Sequence, residues 1–308
     1  LLATLHWFVE SSEDADRVNG AGARASVYFD GEFYDNVFSR VRGSSARGVI
    51  KKPYKFDFNP GHEFRYGDDD HRVSEINVNS TYQDKAYIRQ QLAHELIADA
   101  GTPSSDAFTW RIQQNGEFFS VASFIEQVDQ DFLQRRNLDP NGALYKIFNG
   151  ITSSEPGVEK RTRRNEDNSD LSSLVKGLSQ DNPDTATYLF DNIDLPAAIN
   201  YVVSGVIAMD WDRTIKNFYV YRDTNDTGEW TQLPWDLDLT IGNIFYSDEI
   251  RGGDFLVGPH EFSGLASGNR MIDTLLENPR THQMFLRRLR TLMDQLLQCL
   301  FQKRKLKN

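Results

Sequence analysis

The chain has 308 residues, 39% hydrophobic and 12% aromatic, enough for one large domain or two small ones around a sizeable core. Its formal net charge of -11 argues against sequence-independent nucleic-acid binding, which needs Lys and Arg to displace counterions from phosphates. A single cysteine, Cys299, excludes an intramolecular disulfide and a Cys-based zinc site, and no run of about 18 apolar residues reads as a membrane span.

The opening Leu1-Leu2-Ala3-Thr4 has neither Met nor a signal-peptide pattern, and reads as a piece trimmed of any targeting segment. Residues 25–42 read as a hairpin around Asp30-Gly31. Gly43 to Gly48 is a small-residue loop. Residues 51–58 are a strand with Tyr54, Phe56 and Phe58 on one face and Lys55 and Asp57 on the other. Residues 59–80, with the acidic run Asp68-Asp69-Asp70, read as loop. Residues 84–100 read as a helix with an apolar stripe of Ile88, Leu92, Leu96 and Ile97, ended by Gly101 and Pro103. Strands at 107–113 and 117–125 flank the turn Asn115-Gly116, and a short helix covers 128–136.

The polar stretch 153–184 reads as an exposed insertion. Residues 196–209 are apolar nearly all round and read as a buried helix. Short strands follow at 218–221 and 229–233, then a Gly-rich loop at 243–268 and an amphipathic helix over 281–300. Segregated strands and helices predict an α+β fold with two lobes, a mostly β lobe at 1–127 and a mostly helical lobe at 128–308.

The stretch Asp210-Trp211-Asp212-Arg213-Thr214-Ile215-Lys216-Asn217 carries the chemistry. Asp212 and Asn217 are five residues apart, the spacing of a protein-kinase catalytic loop, where the Asp accepts the substrate hydroxyl proton and the Asn binds magnesium. The competing reading is a turn in which both side chains cap backbone amides. Two short strands later comes Leu233-Pro234-Trp235-Asp236-Leu237-Asp238, with Asp236 placed 24 residues after Asp212, as a kinase places its metal-binding Asp. Two acids in an apolar setting need a cation or donors, and hard oxygens suit Mg2+ or Mn2+.

Upstream, a kinase needs a strand lysine on the ATP phosphates, held by a Glu on the following helix. Lys55, on the strand face opposite the aromatics, is expected to pair with Glu95 at the edge of the helix stripe. Lys52, beside Pro53, is its rival. Either lysine could instead lie on a solvated face. Glu126, at the end of the second strand after the helix, stands where a hinge would hold adenine, or else caps the helix that follows.

Taken together, these motifs resemble the spore coat protein H (CotH) kinase family. The resemblance rests on Arg42-Gly43-Ser44-Ser45 before Lys51-Lys52-Pro53-Tyr54-Lys55, and on Asn115-Gly116 before a strand ending in Glu126. Leu144-Tyr145-Lys146, Trp211-Asp212 with Asn217, and Trp235-Asp236-Leu237-Asp238 complete it. It spans roughly residues 25–295. It implies an atypical protein-kinase-like fold and ATP- and metal-dependent phosphorylation of Ser or Thr on a protein substrate. By that resemblance Asp212 is the catalytic Asp and Asp236 the metal-binding Asp. Two departures stand out. With only Gly43 and Gly48 in the phosphate loop, Arg42, Ser44 and Ser45 would make the phosphate contacts, and Lys146 is a further candidate. The metal motif is Asp-Leu-Asp, so Asp238 competes with Asp236 as ligand.

His94-Glu95 fails as a zinc-protease motif because position 98 is Ala. Two function classes remain, an active kinase and a catalytically weak or inactive kinase-like module for surface binding or adhesion. A monomer is expected, secreted or at a cell surface, with a cytoplasmic location as the alternative.

Overall fold

The structure, a computed structural model, describes residues 2–67, 71–148, 150–152, 157–210, 212–213, 215–243 and 269–305. It is a mixed α+β protein that divides into two compact units, Leu1–Glu95 with Ser105–Asn137, and Leu96–Ser104 with Leu138–Asn308.

The first unit is a closed barrel of seven strands: β1 (Thr4–Val9), β2 (Ala23–Phe29), β3 (Glu32–Val41), β4 (Tyr54–Asp57), β5 (Glu75–Asn79), β6 (Ala107–Gln114) and β7 (Glu117–Ile125). Their order is β1-β2-β3-β4-β5-β7-β6. β1 closes the ring by running parallel to β6, while the other neighbours are antiparallel. Both sequence-predicted turns are present. Asp30-Gly31 and Asn115-Gly116 take left-handed conformations, which match the twist of the flanking strands. Asn115 adds a rung of its own: its side chain accepts from the Val9 N–H at 2.9 Å and donates to the Val9 carbonyl at 3.2 Å. Inside, Trp7, Tyr54, Phe56, Phe64, Trp110 and Phe124 are buried, with Trp7 at 4.9 Å from the Tyr54 ring. As expected, Tyr54, Phe56 and Phe58 face the core.

Three expectations need correction here. Residues 59–80 are not all loop, since β5 lies between β4 and β7. Its outward Asn77 is buried and donates to the Ile125 carbonyl and to Gln127, so a polar residue fills a strand position. The helix expected from 84 begins later: α2 spans Arg89–Asp99. Asp84 precedes it and is buried, accepting from the Arg89 N–H and guanidinium, each at 2.7 Å. Its buried face is Ala93, His94 and Ile97, whereas Ile88 and Leu92 of the expected stripe are exposed. Asp68 to Asp70 lie outside the described residues. α1 (Ser12–Ala15) and α3 (Gln130–Arg135) complete the unit.

The second unit has an antiparallel sheet of order β11-β10-β8-β9, formed by β8 (Ala143–Ile147), β9 (Val158–Lys160), β10 (Phe218–Arg222) and β11 (Trp230–Pro234). Its helices are α4 (Ser169–Gly177), α5 (Thr185–Asn192), α6 (Leu195–Ile207), α7 (Arg270–Glu277) and α8 (Pro279–Lys305). α6 is buried over most of its surface, as its composition predicts. Asp194 caps it by accepting from the Ala197 N–H at 3.0 Å, and Pro196 sits in its first turn. The stretch 153–184 is not an exposed insertion: β9 pairs with β8, and Leu171, Leu174 and Leu178 are buried in the unit's core. Their period was hidden by the Ser, Asn and Asp around them. Of the expected loop at 243–268, residues 244–268 lie outside the described residues.

Candidate active site

Three segments of the second unit converge behind α6. α6 stops where Met209 turns left-handed, with the Met209 N–H donating to the Val206 carbonyl and the Asp210 N–H to that of Gly205. The chain then turns sharply. Asp210 Oδ1 accepts from the Asp212 N–H at 3.2 Å, fixing the backbone that carries Asp212. Arg213 folds back into the interior, donating to the carbonyls of Gly205 and Asp210. Only glycine fits at 205, since a Cβ there would stand 2.9 Å from the Arg213 Cδ. Trp211 and Thr214, which flank Asp212 and Arg213 in the predicted motif, lie outside the described residues.

Asp212 Oδ2 accepts from Asn217 Nδ2 at 2.8 Å and pairs with the Lys216 ammonium at 2.9 Å. The pair at the predicted five-residue spacing therefore touches. The Asn217 carbonyl in turn accepts from the Trp235 N–H at 3.0 Å, which sets Asp236 at the end of β11 beside the loop. The third segment closes back on the first, the Ile241 N–H donating to the Ala208 carbonyl at 2.8 Å. Met209, Asn217, Asp236 and Ile241 all have φ between 50° and 63°. For Ile241, branched at Cβ, this conformation is costly, and such strain concentrates where a site over-determines its backbone.

The electrostatics follow from burying acids together. Burial raises the Asp210 carboxyl to about 7 against the pull of Arg213, with Asp212 and Asp236 adding repulsion. Burial raises Asp212 also, opposed by Lys216. Lys216 feels the field of Asp212, Asp236 and Asp238 together, and its ammonium is held above its ordinary range by Asp212 once its own partial burial is overcome. Among the described residues no group of three or more His, Cys, Asp or Glu side chains is arranged as a metal site. The donors that would hold one are hard oxygens on Asp236 and Asn217, whose Oδ1 is turned away from the bond its Nδ2 makes, in a cluster carrying surplus negative charge. Hard oxygens in that setting would suit Mg2+ or Mn2+.

Lys146 lies opposite Tyr219 in the β8–β10 ladder, its ammonium 4.9 Å from the Trp235 ring, 5.3 Å from Phe148 and 5.6 Å from Tyr219. Three rings hold the cation next to the residue that precedes Asp236.

The first-unit candidates fare differently. Lys55 does not meet Glu95. It pairs with Glu75 and, at 3.1 Å, with Asp57, because the outward face of β4 is matched by acids on its own sheet. Glu95 is exposed and accepts from Gln91 one turn earlier. Lys52 pairs with Asp16 at 3.3 Å. Arg42 reaches Asn79 Oδ1, and Ser44 is exposed. The side chain of Ser45 is outside the described residues. Glu126 is neither free for a ligand nor a helix cap. It is buried between Arg135 and Arg136, each at 3.1 Å, and accepts from the Asp106 N–H, while Asp129 caps α3. Burial raises its carboxyl, with Arg136 opposing.

Two lysines carry more than the sequence reading gave them. Lys51 is half-buried, bonded to Thr81 Oγ1 and the Val121 carbonyl, and lies 4.4 Å from the Tyr87 ring. Burial lowers its ammonium, and Asp84 pulls it back up. Since β4 begins only at Tyr54, strand parity gave no information about residue 51. Lys216 had one signal, its place directly before Asn217.

A family model described as CotH kinase protein matches residues 39–307. The chain belongs to the CotH kinase protein family. Within it, the chain is similar to the inner spore coat protein H of Bacillus subtilis (strain 168), with 25% identity over 223 residues, covering 68% of this chain. The match covers 60% of that relative's length. Among the described residues no helix of this CotH-family chain is long and apolar enough to cross a membrane.

Proposed function

We propose that the chain is an ATP- and divalent-metal-dependent protein kinase with a two-lobed kinase-like arrangement, transferring the γ-phosphoryl group to a Ser or Thr hydroxyl of a protein substrate. The observation that carries this reading is the contact between Asp212 and Asn217 in a loop tied through Trp235 to Asp236. Asp212 accepts the hydroxyl proton as the oxygen attacks the γ-phosphorus, and the bond to the β–γ bridging oxygen breaks, releasing ADP. A bound Mg2+ or Mn2+ would supply neutralisation of the phosphate charge, held by Asn217 and Asp236, with Asp238 the alternative ligand. Asp210 and Arg213 hold Asp212 in place. In the second unit Lys146, fixed by its rings, is the cation suited to phosphate oxygens, and in the first unit the candidate is Lys51, kept from full solvation.

The relative's name, a spore coat protein, supports an exported or surface location for this chain. The test is incubation with labelled ATP and Mg2+ or Mn2+. Label on the chain or on an added protein acceptor, absent in Asp212→Asn, supports the kinase. No incorporation with either metal, alongside intact folding, leaves the binding-module reading.

A further inference from the structure

We propose that Lys216 is the resident counter-ion of the Asp212, Asp236 and Asp238 cluster, competing with the divalent cation and keeping Asp212 paired until metal and nucleotide arrive. This rests on the phosphotransfer reading. The Lys216 ammonium stands 2.9 Å from Asp212 Oδ2, the same oxygen that accepts from Asn217. The oxygen that would take the substrate proton is therefore already occupied by two donors in the resting loop. All three acids act on this one lysine, whereas Arg213 is buried and turned toward Gly205 and Asp210.

The lysine is also free to leave. Its side chain is 48% exposed, on a four-carbon stem with no fixed geometry. Its neighbour in sequence, Asn217, is a ligand in the proposed metal site, so a dication drawn in there would stand close to the ammonium and repel it. Departure of Lys216 strips one donor from Asp212 at the moment the phosphates are in place. Proton abstraction is thereby coupled to loading.

Competition has a sign that a merely structural ion pair does not. Removing the ammonium must strengthen binding of the metal alone. The experiment is Mn2+ titration of the full chain without nucleotide, followed by the spin resonance of free Mn2+, counting the site that is lost in Asp236→Asn. Lys216→Met should bind Mn2+ about 2- to 5-fold more tightly, the effect of one half-exposed ion pair. Lys216→Arg, which keeps the charge, should match the wild type. If Lys216→Met binds Mn2+ equally or more weakly while the wild type takes up both Mn2+ and Mn2+–ATP, the inference falls and the kinase reading stands. If the wild type takes up neither, the kinase reading falls and the inference with it.

Discussion

The carbonyl of Asn217 accepts a hydrogen bond from the N–H of Trp235 at 3.0 Å, so the last residue of the Asp212 loop is clamped to the residue before Asp236. β10 and β11 lie between these points in sequence, and their ladder begins at Phe218 opposite Pro234. The two acids are held by a hairpin's register, not by loops alone. Small errors in that register would separate them.

Replacing Asp212 by Asn keeps the loop's shape and a side-chain oxygen, but removes the proton acceptor. Phosphate transfer should fall by about 10²–10⁴-fold, with the unfolding midpoint near that of the wild type. Turnover measured at saturating ATP decides it, and near-native turnover would remove Asp212 from the role of base.

Lys51 and Lys55 separate a cation held by neutral oxygens from one paired with two acids. Lys51→Met should weaken ATP binding about tenfold or more, because the ammonium is held by Thr81 and a carbonyl with no carboxylate among the described residues in direct contact. Lys55→Met should leave ATP affinity nearly unchanged and cost about 1 kcal/mol of stability or less through its pair with Glu75. Calorimetry with Mg2+–ATP on both variants checks this, and the reverse ranking would return the role to Lys55.

Gly205→Ala tests the seat of Arg213. In an ordinary helix the change would add up to about 1 kcal/mol. Here the new Cβ meets the Arg213 side chain at 2.9 Å, and that side chain is buried. Net destabilisation of about 1–3 kcal/mol is expected, with loss of turnover as Asp212 shifts. Denaturant unfolding of a more stable Gly205→Ala protein would show that Arg213 yields freely.

Asp210 should make stability depend on pH. Its folded value is about 7, against an ordinary 3.8. Between these values the folded chain keeps a proton that the unfolded chain gives up. Its contribution is therefore full below about pH 4 and is lost as pH rises through 7. Asp210→Asn keeps the acceptor for the Asp212 N–H but cannot ionise. Relative to wild type, its urea midpoint should rise between pH 5 and pH 8. A constant difference across that range would mean that Arg213 keeps Asp210 ionised throughout.

The grouping of the candidate site's central residues was legible because its spacing is local. Asp212, Asn217, Trp235 and Asp236 lie on one hairpin and its flanks, where order in the chain constrains position in space. The hairpin turns Asp30-Gly31 and Asn115-Gly116 were legible for the same reason. The first-unit pairs were not. Lys55 and Glu95 were matched by role, yet the acids that reach Lys55 are set by sheet register, which places Asn77 opposite it and Glu75 on the same outer face. β5 was hidden by its asparagines, and α4 by a polar surround, since a strand or helix whose outward groups are hydrogen-bonded need not look apolar. The Glu126 side chain is taken up by Arg135 and Arg136, six and seven residues beyond the helix cap, a pairing that no motif announces.

Closure of the barrel reaches beyond the site. β1 and β2 both precede residue 39, where the match to the family begins, and β3 straddles it. A fragment cut at that boundary would keep β6 and lose the strand that caps it. A row of unpaired backbone groups on β6 would face water beside the aromatic interior that Trp7 now fills. Such margins recruit strands from other molecules. The shortened chain would self-associate through strand exchange, and its loss of activity would report assembly rather than chemistry.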